Sequence, residues 1–544
     1  MMFFKPQILA LLLVSATLLA DKPGKIDGTE KLAPGVKRLL EDEQTRQNKD
    51  MWPEGFFPNE VSSAYRSENA PKFGLGYYLV PESLADFSTA DSLSPGIKSQ
   101  LFVEKDGKKY YRLFVHPESI KYYAFLKDAC QFVSGEKSEF LASPTMSDRS
   151  LVVWNQHEPK PTAFIAKVSL DLKILNSPRL VGRSEAERSI TNQRALEAIG
   201  PEALGKMNFG YFPETAALSL KQERFAQMKD KKLGGQVIRE IPESVASGKI
   251  QWANMASLMS STDGKEPLIF KVIEKSGLTP EQFVQRYMVD GFMKTYEELA
   301  FNRGLGFEPH AQNLGMELNA DFSPTGKWIY KDFGGLWPDP IAMANHPELI
   351  KIYQANPKAE VFHFAEGRSY TINGFTNYFR RQVFELMLRR LRKKYPDFTQ
   401  AVSDGLQKRL DERFFQLAHK WFGLRINKIP TLREMEELRG ELTESTNLSR
   451  RVSYTHVDDK SLAADFVALK RSQGEWVGLV TNIIPESAAR AVGLRANDTG
   501  VYLVDRGGRI LGYSLFNLFE RESFVRTRGI SEAFCAEATA FVKL

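Results

Sequence analysis

Cysteine is nearly absent from this chain of 544 residues: Cys130 and Cys535 are the two present. Thiols so far apart in sequence allow one disulfide in an oxidising compartment but no disulfide framework. No CxxC, HExxH or tight Cys/His cluster occurs, which removes the common structural zinc sites. Histidine is scarce as well, and His346, His363, His419 and His456 lack ligand spacing and are given no role. A large excess of one charge is also missing: the formal net charge is +6, which argues for neither nucleic acid nor anionic lipid as a partner. After residue 20 no apolar run is long enough to span a bilayer, so no stable membrane insertion is expected once a leader is removed.

What is present is the composition of a folded protein, 42% hydrophobic and 26% charged, with room for three or four domains. The N-terminus reads MMFFKPQILALLLVSATLLADKPG, with Lys5 followed by an apolar run from Ile8 to Ala20. That length suits a signal-peptide core, and Val14-Ser15-Ala16 fits the small-residue cleavage rule. Residues 1–20 are therefore expected to direct export, to a periplasm or outside the cell. An uncleaved anchor or a misplaced start are the alternatives, and without a leader the chain would be cytoplasmic.

Residues 21–140 read as a mixed α/β region that opens with a loosely structured lead-in to about residue 70. Strand-like runs follow, with a turn at Gly107 and a helical stretch around 120–132. Residues 141–265 hold a sheet: SLVVWNQ and TAFIAKVSLDLKI are joined by HEPKP as an antiparallel pair. In the second run Phe164, Ala166, Val168, Leu170, Leu172 and Ile174 share one face, and Lys167, Ser169, Asp171 and Lys173 the other. Helical text covers 185–204, then dominates residues 266–440 over 279–303 and 375–422. The basic run from Arg380 to Lys394 reads as a solvated face over a buried stripe. In residues 441–544 a strand, an Ala-rich helix, Gly493-Leu494, Asp498 and two strands resemble a PDZ domain, with a plain α/β module as the alternative.

The chemistry concentrates in FEPHAQNLGMELNADFSPTGKWIYKDFGG, Phe307 to Gly335. Leu314, Met316 and Leu318 alternate, ADFSPTGK supplies turn residues, and WIYKDF returns as a strand. Such a hairpin brings His310–Asn313 and Asp332 to one end. Asn313 and Asp332 make a hard-oxygen pair suited to Mg²⁺, which commonly binds one or two protein groups plus phosphates. His310 and Gln312 would donate hydrogen bonds to phosphate or to a developing oxyanion. Protein kinases use a comparable Asn and Asp-Phe-Gly, but no His-Arg-Asp precedes Asn313. A core hairpin with a hydrogen-bonded His and a Gly-Gly turn is the plainer alternative. Basic partners for phosphate stand in the preceding region: Arg149 within PTMSDRS, Lys167 in the second strand and Arg179 in NSPR.

Taken in order, His116-Pro117, PTMSDRS, AKVSLDLKILNSPR, FEPHAQN and KDFGG resemble the siderophore synthetases that work without a peptide synthetase, the aerobactin-synthetase or IucA/IucC family. The resemblance spans roughly residues 115–336. The fold expected is α+β and multidomain: an antiparallel-sheet nucleotide-binding domain packs against a mainly helical domain, and a small C-terminal α/β module ends the chain. By the same resemblance, Ser147, Arg149 and Ser150 would hold ATP phosphates, and Lys167 the α-phosphate. Arg179 would meet phosphate or the substrate carboxylate. His310 would stabilise the reacting centre, Gln312 would contact nucleotide, Asn313 and Asp332 would hold Mg²⁺, and Glu308 would orient His310 or its loop. The implied reaction is ATP- and Mg²⁺-dependent adenylation of a small-molecule carboxylate, followed by attack of an amine, hydroxylamine or alcohol.

The chain departs from the family pattern at Met146, Ser150, Pro309 and Lys331, where the family has Ser, Thr, Ala and Arg. The family's upstream His-Pro loop is also missing; SAYRSENAPKFGLG keeps Lys72 and Gly74 without a His. A leader and a missing His loop keep two other readings open. One is an exported, catalytically silent ligand-binding relative, and the other a secreted effector that transfers an adenylyl or phosphoryl group to a protein hydroxyl.

Overall fold

The computed structural model describes residues 28–44 and 60–422, apart from 175–176, 229–231, 262–265, 340–341 and 357–369, together with the backbone of four strands between 465 and 516. The expected leader and Cys535 lie outside the described residues; Cys130 is buried.

The strands that frame the site are, in chain order, β1 (Phe73–Gly74), β2 (Ala85–Thr89), β3 (Phe140–Pro144), β4 (Ser150–Asn155), β5 (Phe164–Val168), β6 (Phe209–Tyr211), β7 (Glu214–Leu220), β8 (Gln236–Glu240), β9 (Ile250–Asn254), β10 (Leu314–Asn319) and β11 (Pro324–Tyr330). A seven-stranded sheet runs β1-β3-β4-β5-β8-β7-β2, antiparallel at every pairing. A four-stranded sheet runs β6-β11-β10-β9, with β6 parallel to β11. A third sheet, built from Phe102–Lys105, Lys108–Phe114, Tyr77–Pro81 and Gln131–Val133, covers one face of the seven-stranded sheet. There Phe114, Tyr77 and Leu79 pack with Phe164, Ala166 and Leu151. The fold is thus α+β with several antiparallel sheets and a helical half.

Strand alternation decides which side chains meet which neighbour. Phe164, Ala166 and Val168 face the third sheet, whereas Ile165 faces the opposite core, so Lys167 is turned the same way as Ile165. The expected long strand through Ile174 is broken at Ser169. The Ser169 hydroxyl donates to the Gly235 carbonyl at 2.8 Å and accepts the Val181 N–H at 2.8 Å. Beyond it, Leu170–Ile174 leaves the large sheet and pairs with Ser177–Arg179 as a separate two-stranded hairpin.

Other expectations are also corrected. A boundary at residue 140 is crossed by the large sheet, where β1 pairs β3 and β2 pairs β7. The boundary at 265 is crossed by the second sheet, where β9 pairs β10. The helix expected over 120–132 is a single tight turn, Tyr122–Leu126, followed by a strand. The hairpin at Gly107 and the antiparallel β4–β5 pair form as read.

The lead-in is not loose throughout. Pro34 starts helix α1 (Pro34–Glu43), where a proline costs no hydrogen bond. Its stripe of Val36, Leu39 and Leu40, with Leu32 ahead of it, packs between the two sheets. It meets Leu141, Val152 and Trp154 of one and Trp252 and Ile329 of the other. Helix α2 (Arg183–Ile199) lies on the large sheet through Ala186 and Ile190 against Ala217 and Val237.

The helical half wraps the second sheet, with Phe292 stacked on Phe379 at 3.5 Å between ring centres and Trp328 edge-on to Phe292. The helix over 374–394 ends before Pro396, because a residue preceding proline is pushed to extended backbone, as Tyr395 is. The basic face there is less solvated than expected. Arg380 binds Asp411 of helix Gln400–Phe422 at 2.8 Å, and Arg390 is buried.

Strands Asp465–Lys470, Trp476–Thr481, Thr499–Val504 and Ile510–Phe516 form an antiparallel meander. The Ala-rich helix of the PDZ-like reading, 485–492, lies outside the described residues. Among the described residues no helix is long and apolar enough to cross a membrane.

Helix α1 touches its neighbours at backbone distance, which gives a sharp check. A Cβ added at Gly35 would stand 1.7 Å from the Val245 carbonyl oxygen. Gly35→Ala is expected to lower stability by about 2 kcal/mol or more through overpacking. Urea denaturation reads the effect, and an unchanged midpoint would show that α1 does not sit there.

Candidate functional site

The hairpin end expected from the sequence is formed. Leu314 pairs with Tyr330 and Gly315 with Ile329 across β10 and β11. The Lys331 N–H then donates to the Asn313 carbonyl at 3.1 Å, which fixes the His310–Asn313 turn beside Asp332. Asp332 takes a left-handed backbone conformation, φ +83°, a strained state for a non-glycine residue. That twist aims its carboxylate back across the gap to the large sheet.

On the facing side stands Lys167, 3% exposed. Its ammonium binds Asp332 Oδ1 and, at 2.9 Å, Glu185 Oε1 from the first turn of α2. Arg239 on β8 reaches Asp332 Oδ1 at 3.3 Å and binds Glu214 on β7 at 2.6 Å. Glu214 and Arg239 face each other across the β7–β8 ladder, so the sheet register itself sets this pair. The same Glu214 oxygen accepts the Phe333 N–H at 3.2 Å.

Helix α2 grips the Asp-Phe-Gly-Gly turn with one face. Glu185, Arg188 and Asn192 recur at helical spacing. Arg188 donates to the Gly334 carbonyl at 3.0 Å, and Asn192 donates to the Phe333 and Leu336 carbonyls at 2.7 and 2.9 Å. A Cβ on Gly334 would press to 3.1 Å from Glu185 Cγ and 3.4 Å from Lys167 Nζ, so the turn approaches the ion pairs closely because the residue is glycine.

The PTMSDRS stretch is the β3–β4 turn. Ser147 Oγ accepts the Ser150 N–H at 3.0 Å, and Asp148, at φ +59°, accepts the Ser67 N–H at 2.9 Å. Ser147 therefore shapes the turn. Ser150 is buried and stands opposite Lys167 in the β4–β5 register. Arg149 donates to the Arg179 carbonyl at 2.9 Å and lies 3.7 Å from Glu185. Arg179 is brought back to Arg149 by the small hairpin that follows Ser169.

The predicted groups differ in what they already hold. Among the described residues Arg179 has no carboxylate within salt-bridge distance, and the Gln312 and Asn313 amides make no side-chain hydrogen bond. The buried His310 Nδ1 is also without a partner. Asp332, expected to hold Mg²⁺ with Asn313, is engaged by Lys167 and Arg239. Glu185, Arg188, Glu214 and Arg239 were not singled out from the sequence. The polar stripe Glu185/Arg188/Asn192 on one helix face was the available signal.

Electrostatics follow from this packing. Burial opposes charge on Glu185, but Lys167 and Arg149 outweigh it and hold its carboxyl at about 2. The same contest leaves Asp332 well below the usual carboxylate range through Lys167, Arg239 and Arg149. Burial, then the Asp332 charge, pushes Glu308 up to about 7. Burial lowers His310 to about 4, so its ring is neutral near pH 7. Burial and the adjacent Arg149 guanidinium lower Arg179.

Residues able to hold an anion thus converge: Lys167, Arg149 and Arg179, with orphaned His310. No three His, Cys, Asp or Glu side chains among the described residues converge to hold a metal unaided. Mg²⁺ fits here only as an ion shared between Asn313 or Asp332 and a ligand's phosphates. Beside the cluster lies a cavity of about 510 Å³ lined by Lys121, Tyr122, Asp171, Leu180, Met228 and Lys232. Lys232 lies 3.9 Å from Glu185.

A buried cationic cluster thus lies between two sheets, closed by an Asp-Phe-Gly turn, and Arg and Lys are the side chains suited to phosphate. Comparison with known proteins shows what the chain resembles. The IucA/IucC family model matches residues 54–260, so the resemblance read from the sequence is borne out there. Among solved structures, the ATP-bound aerobactin synthetase IucA from a hypervirulent pathotype of Klebsiella pneumoniae is 17% identical, with TM-score 0.51, covering 73% of this chain and 72% of that one. A second IucA structure from the same source is 15% identical, with TM-score 0.49 and 72% of each chain covered. IucC from the same source is 18% identical, with TM-score 0.42, covering 64% of this chain and 67% of that one. The first of these shows that the fold is IucA-like. No curated protein matches the chain.

Glu185 yields a pH test. Its folded pKa lies below its unfolded one, so its contribution is full above about 4.5 and is lost as pH falls towards about 2. Glu185→Gln is expected to cost up to about 3 kcal/mol near pH 7. The gap to wild type should close between pH 4.5 and pH 2 in denaturant titrations. A gap independent of pH would refute the ion pair.

Proposed function

We propose that this chain is an ATP- and Mg²⁺-dependent carboxylate-activating ligase of siderophore-synthetase type. The observation that carries the reading is that Arg149, Lys167 and Arg179 meet Asp332 and His310 at one place, although they come from separate sheets. ATP, as co-substrate, supplies the α-phosphorus that a carboxylate oxygen attacks, with pyrophosphate leaving; an amine, hydroxylamine or alcohol then attacks the acyl carbon and AMP leaves. Mg²⁺, held at Asn313 and Asp332, would neutralise phosphate charge.

The chain's own groups have distinct duties in this reading. Lys167 places a point charge by the α-phosphate, while Arg149 and Arg179 grip phosphate or carboxylate oxygens through their forked donors. His310, neutral near pH 7, donates an N–H to the oxygens that gain charge rather than acting as a cation. Gln312 and the loop of Ser147 and Ser150 contact the nucleotide. Burial strengthens each of these contacts. The adjoining cavity would receive the acid or its acceptor.

A second reading is favoured by one feature. Lys167 pairs with a helix glutamate, Glu185, beside an Asp-Phe-Gly aspartate, the device kinases use to place phosphates. With the His loop missing and a leader expected, adenylyl or phosphoryl transfer to a protein hydroxyl is the alternative. A silent, exported binding relative would hold the ligand without turnover.

Calorimetry with ATP and Mg²⁺ on protein starting at Asp21 tests the reading, followed by pyrophosphate release across carboxylic acids. Arg179→Ala should weaken nucleotide binding about tenfold or more, as for loss of a charge-assisted bond. Since no carboxylate among the described residues lies within salt-bridge distance of Arg179, the stability of the variant should stay within about 1 kcal/mol of wild type. ATP binding unaffected by Arg179→Ala would overturn the assignment. Label left on a protein instead of pyrophosphate release would favour the transferase.

A further inference from the structure

Helix α1 precedes the segment matched to the IucA/IucC family, residues 54–260, yet it ends inside the cation cluster. Its last residue, Glu43, is 4% exposed. Glu43 Oε1 pairs with the ammonium of Lys331, itself buried, and Glu43 Oε2 accepts the Met146 N–H at 3.4 Å. Lys331 immediately precedes Asp332, and Met146 immediately precedes Ser147. One carboxylate therefore joins the β3–β4 turn of the large sheet to the turn after β11 of the second sheet.

The residues around Glu43 fasten the helix end to both sides. Gln44 donates to Ser143 Oγ at 2.6 Å and to the Pro144 carbonyl at 3.2 Å, at the end of β3. Gln251 on β9 donates to Asp42 Oδ2 at 2.5 Å, and the Ser257 hydroxyl donates to the Asp42 carbonyl.

We infer that Glu43 is a positioning residue: it sets the distance between the phosphate-facing turn, Thr145–Ser150, and the Asp332 turn, and so the aperture of the nucleotide site. This rests on the ATP reading above. A carboxylate suits the task because its two oxygens accept from two donors at once. Removing it would leave the buried Lys331 ammonium without its partner and release the two turns from each other.

The test compares Glu43→Ala, Glu43→Gln and the double variant Glu43→Ala/Lys331→Met as full-length proteins, well below their melting temperatures. Hydrogen exchange followed by mass spectrometry is read alongside ATP affinity. In Glu43→Ala, exchange should rise about tenfold or more in both 145–150 and 331–336, with α2 and the third sheet unchanged, and ATP should bind about tenfold more weakly. Glu43→Gln keeps an acceptor for the Met146 N–H but turns an amide N–H₂ toward the Lys331 ammonium, so it should restore protection in 145–150 and not in 331–336. The double variant should regain melting temperature, since no charge is stranded, but not ATP affinity. Exchange that rises uniformly, or in neither turn, would overturn the inference, as would full affinity in the double variant. If wild type binds no ATP while the two turns still respond together, the ligase proposal falls and the coupling stands.

Discussion

The site depends on the Lys167 ammonium held between Glu185 and Asp332. A charge this deeply buried is tolerable only with close, hydrogen-bonded partners, because desolvation costs several kcal/mol per ion. Each partner comes from a different part of the fold: Glu185 from the start of α2 and Asp332 from the end of the β10–β11 hairpin. The pairing therefore holds helix, hairpin and large sheet in one arrangement. Arg239 and Glu214 repeat the device one strand further on; they share Asp332 with it, and Glu214 also accepts the Phe333 N–H.

Around this centre the molecule separates support from contact. Arg188 and Asn192 hold backbone carbonyls of the Phe333–Leu336 turn, and Ser147 holds its own loop. Arg179, Gln312, Asn313 and His310 Nδ1 hold no side-chain partner among the described residues. Such a division, rigid groups satisfied and a few convergent polar groups left open, is what a preorganised binding site requires.

Much of this was legible from the sequence where the signal was local. Leu314, Met316 and Leu318 alternate cleanly, so the hairpin and the meeting of His310–Asn313 with Asp332 followed from spacing. The face of Lys167 followed from the alternation around Phe164 and Ala166. What was missed depends on tertiary partners: Ser169 breaks its strand because Gly235 and Val181 bond its hydroxyl. Glu214 and Arg239 meet only through the β7–β8 register. Helix α1 carried a readable stripe, Leu32, Val36, Leu39 and Leu40, hidden by the polar text around it. Lys167 itself was read onto a charged strand face; Lys167 is buried there under the start of α2 and the Asp332 turn, whereas Asp171 and Lys173, past the break at Ser169, are exposed.

If the site binds anions as proposed, the internal carboxylate on Lys167 makes it an ion exchanger. An incoming oxyanion must take over a cation that Asp332 already neutralises, so the gain is the difference between two pairings rather than the whole of one. A singly charged anion such as chloride or acetate has little to offer in that trade. Under the proposed function a polyphosphate would engage Arg149 and Arg179 as well, and would compensate Asp332 by bringing its own divalent cation. Discrimination between these ligands is then set by the acids already in place as much as by the bases, and mobile salt, excluded from the buried centre, screens it only weakly.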